Sequence, residues 1–90
     1  SIKSMDSMTE EQALAFSFTG ENKLWDNILA VVDSYIEREV MYAIDKNTIG
    51  EARVHAAGRA DGANGLKETL LWFREEALKK RGLTDKDLTA

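Results

Sequence analysis

The sequence predicts an all-α fold: a helical hairpin of two long antiparallel helices, preceded by a short N-terminal helix and paired with a second copy into a four-helix bundle. Three observations carry this. The 90 residues contain no proline, a residue that long helices exclude and that turn-rich folds use to fix their corners. Apolar residues recur at steps of three and four over two long stretches. Two four-residue segments match the capping box that starts helices.

The elements follow in order. Thr9-Glu10-Glu11-Gln12 is a capping box, in which the threonine oxygen takes a backbone N–H and the glutamine returns the bond, and it opens a short helix over about residues 10–17. Thr19 then offers a fresh N-cap, with Glu21 in the first turn where the helix dipole favours negative charge. In the second helix Trp25, Ile28, Val32, Ile36, Val40 and Ala43 form one stripe, with Leu24, Val31, Tyr35 and Tyr42 beside it. That apolar arc is wider than one neighbouring helix covers. Asp45-Lys46-Asn47 closes the helix, and Thr48-Ile49-Gly50-Glu51 is the second capping box. So short a link forces the flanking helices antiparallel.

The third helix is expected over about residues 49–81, with Ile49, Ala52, Ala56, Ala60, Ala63, Leu66, Leu70, Phe73 and Ala77 inward. Its first half is small, with Gly58, Gly62 and Gly65 among alanines, and its second half is bulky. Interior glycines cost about 1 kcal/mol each relative to alanine, so they require either a close packing seam or a helix break. The seam is the preferred reading, made within the chain or with a second copy. Lys79-Lys80-Arg81-Gly82 reads as a helix end, with cations on the negative pole and glycine in the left-handed position. The whole of 1–90 reads as one helical domain, with 1–8 as a flexible start and 83–90 as a short tail.

Composition excludes several classes. Without cysteine there is no disulfide framework, thiolate nucleophile or cysteine-ligated metal. The longest apolar runs are far short of a membrane span, and no secretory h-region opens the chain, so the expected location is intracellular and cytoplasmic. Sixteen acidic and twelve basic residues give a net charge of −4, which disfavours a bulk electrostatic binder of nucleic acid. The charge is uneven: residues 1–47 carry nine acids and four bases, whereas residues 48–90 carry seven acids and eight bases. That asymmetry suits pairing between the halves.

Candidate chemistry is sparse. Glu51 and His55 share a helix face at the i,i+4 spacing of metal ligands, but two ligands are too few without Glu37, Glu39 or a symmetry mate. Glu37 and Glu39 point apart on a helix and make no acid–base pair. The Gly58–Gly65 region has neither the preceding strand nor the lysine of a phosphate loop. Arg53, Arg59 and Asp61 are expected to be solvated or paired with Glu37, Glu39 or Asp33. Trp25 is expected to approach the cluster from Leu70 to Phe73, with Phe16 and Phe18 folding over the same place.

The function this predicts is a non-enzymatic protein–protein interaction or assembly role, carried by a homo-oligomer, with no cofactor, metal or small-molecule substrate. The interaction residues expected are Trp25, Val31, Tyr35, Tyr42, Ala56, Gly58, Arg59, Gly62, Trp72 and Phe73. Two alternatives stand beside it: a nucleic-acid-associated regulator using Arg53, Arg59, Lys67 and Arg74, and a metal-dependent helical-bundle enzyme using Glu37, Glu51 and His55. In being small, acidic, helix-rich and cysteine-free the chain is similar in general style to small bacteriophage-encoded accessory proteins, including assembly factors and host-directed inhibitors. That resemblance implies a location in the host cytoplasm or the virion.

Overall fold

The computed structural model describes residues 8–82, and among these every regular element is a helix: α1 (Glu10–Phe16), α2 (Lys23–Ile44) and α3 (Glu51–Lys80). The expected flexible start and the C-terminal tail fall on residues 1–7 and 83–90, outside the described residues. Met8, at the edge of that start, is buried. The described residues form two compact units, one of residues 8–23 with 69–82 and one of Leu24–Glu68.

Helix α1 begins as its capping box requires. Thr9 Oγ1 accepts from the Gln12 N–H at 3.0 Å, and Gln12 Oε1 accepts from the Thr9 N–H at the same distance. Helix α2 starts later than Thr19 had promised. Gly20 lies at φ +73°, a left-handed conformation that glycine adopts without the Cβ clash other residues meet and that no helix can pass through. Asn22, a residue type favoured for capping, takes the position before the first helical residue.

The second capping box is a correction. Gly50 sits at φ +61°, so α3 starts at Glu51 rather than near Ile49, and the Gly50 carbonyl accepts from the Arg53 and Val54 N–H groups. Thr48 is buried, and it is its backbone carbonyl that is engaged, by the Arg53 guanidinium, as described below. Helix α3 then runs unbroken through all three glycines, which removes the helix break as an explanation for them. It ends at Lys80, followed by Gly82 at φ +71° with its N–H donated to the Lys79 carbonyl.

Within the Leu24–Glu68 unit the two long helices pack closely. Two ion pairs tie them together: Glu39 to Arg59 and Asp33 to Lys67. Moving back six residues on α2 moves forward eight on α3, the relation that antiparallel pairing produces. The buried residues along this contact are Ala43, Ala56 and Ala60, small enough for the two backbones to come close. On α2 the covered or half-covered positions are Trp25, Leu29, Val32, Ile36, Glu39 and Ala43, again in threes and fours, with Tyr35 half-covered beside Ile36. Ile28 and Val40, expected inward, lie at the exposed margin. On α3 Leu66 and Ile49 also turn out to be exposed: Ile49 precedes the helix, and Lys67 takes the inward step next to Leu66, its amine drawn to Asp33.

In the other unit α1 lies against the last turns of α3. Phe16 meets Phe73 with ring centroids 5.7 Å apart, and Trp72 meets Phe73 edge-on at 5.4 Å. Met8, Ser17, Ala77 and Leu78 are buried there. Phe16 and Phe18 do fold onto this end of α3, as expected. Trp25 belongs to the other unit.

Candidate interaction surface

The charged residues of α3 are engaged within the chain. Arg59 donates from Nε and Nη2 to one oxygen of Glu39 at 3.0 and 2.9 Å. That hydrogen bond raises the guanidinium pKa above its ordinary value, against a smaller opposing effect of burial, with Glu39, Tyr35 and Tyr42 nearby adding to the rise. Lys67 Nζ reaches Asp33 Oδ1 at 2.6 Å. Arg53 donates to the carbonyls of Thr48 and Asp45, both at 3.0 Å, and so ties the α2–α3 link to the first turn of α3. Asp45 holds the same link from the other side, its Oδ1 accepting from the Asn47 N–H at 2.7 Å.

The same device recurs in the other unit. Arg74 Nη1 donates to the carbonyls of Phe16 and Phe18 at 2.8 and 3.0 Å while its guanidinium lies 3.5 Å from the Phe18 ring centroid. Arg81 donates to the Ser17 carbonyl at 2.8 Å, and the Ser17 hydroxyl is bonded to the Leu14 carbonyl. Helix α1 has no basic residue in its own last turn; its terminal carbonyls, which carry the negative end of the helix dipole, receive cations from α3 instead. The sequence does hold a signal for this. Leu70, Arg74, Ala77, Leu78 and Arg81 are spaced on one helix face, and an arginine amid an apolar stripe needs acceptors.

Arg53, Arg59, Lys67 and Arg74, the four bases of the nucleic-acid alternative, therefore each have a partner within the chain. Glu37, Glu51 and His55 are not joined into a ligand set: among the described residues no three His, Asp or Glu side chains are grouped to hold a metal ion. Among the same residues no helix is long and apolar enough to cross a membrane. A cleft of about 460 Å³ lies between α1 and the end of α3, lined by Met8, Leu14, Lys80 and Arg81 among others. A smaller groove of about 300 Å³ runs along α2 past Asn27, Ala30, Val31, Ser34, Tyr35 and Arg38.

The expected interaction residues divide by what surrounds them. Ala56 is fully buried in the α2–α3 contact, so its surface is already used inside the chain. Gly58 and Gly62 are a correction to the intrachain seam: a Cβ at either would meet nothing within 4 Å, because Ala56 and Ala60, on the opposite face of α3, make the close approach. Trp72 and Phe73 are half-buried and meet edge-on, and Phe73 also meets Phe16 of α1. Val31 is 68% exposed and Tyr42 49%, while Trp25 is half-buried and Tyr35 lies half-buried beneath the Arg38 guanidinium, 5.2 Å from its ring centroid. Of the twelve large hydrophobic side chains left exposed among the described residues, ten lie in the Leu24–Glu68 unit.

No family model matches the chain, and no curated protein or solved structure matches it.

Proposed function

We propose that this chain is a non-enzymatic helical assembly protein that works as a homo-oligomer, its hairpin paired with that of a second copy in a four-helix bundle. One observation carries the reading: the Leu24–Glu68 unit buries only alanines and one threonine, while ten large apolar side chains stay in water. Exposed apolar surface on that scale is characteristic of an interface rather than of a finished monomer.

The magnitudes favour association. Covering an exposed leucine, isoleucine or valine gains roughly 1–2 kcal/mol when the side chain is already partly shielded. Five such side chains from each of two copies give a gross gain of about 10–20 kcal/mol, against a cost of association of about 4–15 kcal/mol. The midpoints of those ranges leave about 5 kcal/mol, a dimer of roughly 0.1 mM strength. Sedimentation equilibrium from about 1 μM to about 1 mM, a span that brackets that strength, tests it: a concentration-dependent rise to at least twice the chain mass is expected, and a compact monomer at every concentration would refute the reading.

A further inference from the structure

The same unit carries an inference that rests on this self-association and adds the geometry of the pair. Residues three, four or seven apart share one side of a helix. The Glu39–Arg59 pair marks one side of the α2–α3 contact. From Glu39 the steps along α2 lead to Tyr42, Tyr35, Val31 and Ile28; from Arg59 the steps along α3 lead to His55, Gly62 and Leu66. That Tyr35 and Tyr42 act on Arg59 puts both on this side. The Asp33–Lys67 pair marks the other side, and there the steps lead to Asp26, Glu37, Asn64 and Glu68 as well as to Val40 and Ile44. Charge is unevenly sorted: that side mixes carboxylates with apolar groups, whereas the Arg59 side is mainly apolar, its charges being the Glu39–Arg59 pair, Glu51 one turn before His55, and Arg38 at the rim.

The apolar side is also uneven in height. Helix α2 gives a ridge, with Val31 and Tyr42 well exposed, whereas α3 gives Gly62, over which there is open space. We propose that a second copy of this chain covers that side, related by a two-fold axis running along the helices, so that α2 of each copy lies over α3 of the other.

Charge selects both the occupant and the axis. Such an axis keeps every residue at its own height, so the level pairing of Glu39 with Arg59 inside one chain repeats across the interface. Each Arg59 then sits between its own Glu39 and that of the second copy, and the four charges alternate in sign. Shape agrees, because Tyr35 comes level with Gly62 of the second copy, Tyr42 with His55, and Val31 with Leu66. An axis across the helices would instead stack ridge on ridge and lose the alternation. The face is roughly 30 Å long and 18 Å wide, the same order as the roughly 800 Å² that each partner gives to a stable interface.

Because the chain has no cysteine, single-cysteine variants test the geometry directly. Val31→Cys and Leu66→Cys proteins, mixed and mildly oxidised, should form the mixed disulfide dimer, and neither should link to itself. Self-linked Val31→Cys, or no mixed link in a sample shown to be dimeric, overturns the arrangement. Gly62→Leu is the second test. Its side chain enters open space in the single chain, so the helix signal by circular dichroism should persist while dimer affinity falls about tenfold or more; unchanged affinity overturns the arrangement. Wild-type protein that stays monomeric throughout refutes the self-association itself, whereas a dimer indifferent to Gly62→Leu refutes only this choice of faces.

Discussion

The two units of the chain hold together by different means. In residues 8–23 with 69–82, a seven-residue helix is latched to α3 by arginines that bond its terminal carbonyls and by a group of aromatic rings. In residues 24–68, two long helices meet through alanines and two ion pairs, with their larger side chains left outside. Among the described residues the first unit leaves two large apolar side chains exposed and the second leaves ten. A helix as short as α1 is marginal by itself, so it needs strong local bonds from a neighbour. Two long helices can instead pair through a narrow contact, and a narrow contact leaves their remaining apolar arc exposed.

Substitutions can break that contrast. The largest effect is expected for Arg74→Ala, which removes two charge-assisted hydrogen bonds and the contact with the Phe18 ring. At about 1.5–3 kcal/mol for a hydrogen bond to a charged group, a loss of about 3 kcal/mol in urea unfolding is expected, with protease cleavage between residues 17 and 22 rising first. Self-association should survive, since Arg74 lies outside the 24–68 unit. A loss of dimer without a loss of stability would erase the distinction between the units.

Next in size is Ala56→Leu, which forces a large side chain into a fully buried position of the α2–α3 contact and should cost about 2 kcal/mol through overpacking. Here stability and dimerisation should fall together, because the docking face depends on the spacing of the two helices. Smallest, and opposite in sign, is Gly65→Ala. A Cβ there meets nothing within 4 Å, and the position, three residues past Gly62, lies at the rim of the proposed docking face, so stability of the single chain should rise by about 1 kcal/mol from helix propensity alone. A drop would mean that the position is covered by something the single chain does not contain.

Parts of the site were legible beforehand. The sequence left Arg59 either solvated or paired with Glu37, Glu39 or Asp33, and the structure selects the pair with Glu39. The outer stripe of Val31, Tyr35 and Tyr42 followed from periodicity. The roles of Arg53, Arg74 and Arg81 were less legible: the apolar face around Arg74 and Arg81 signals that they need acceptors, but which backbone carbonyls serve carries no sequence signature. The glycines of α3 read as a seam made either within the chain or with a second copy, and the structure removes the first of these: composition shows that small residues are present, but a shift of two positions carries a residue to the far side of a helix.

What the sequence alone determined is local: the all-helical character, the capping box at Thr9, the end of α3 before Gly82 and the apolar periods of α2. Each depends on bonds or propensities within a few residues, so a short window contains the physics. What only the tertiary structure decided is which face of α3 meets α2, where Arg59, Arg74 and Arg81 find their acceptors, and which apolar side chains stay uncovered. Those depend on groups 20 to 64 residues apart, whose meeting is set by the competition of all faces for burial at once.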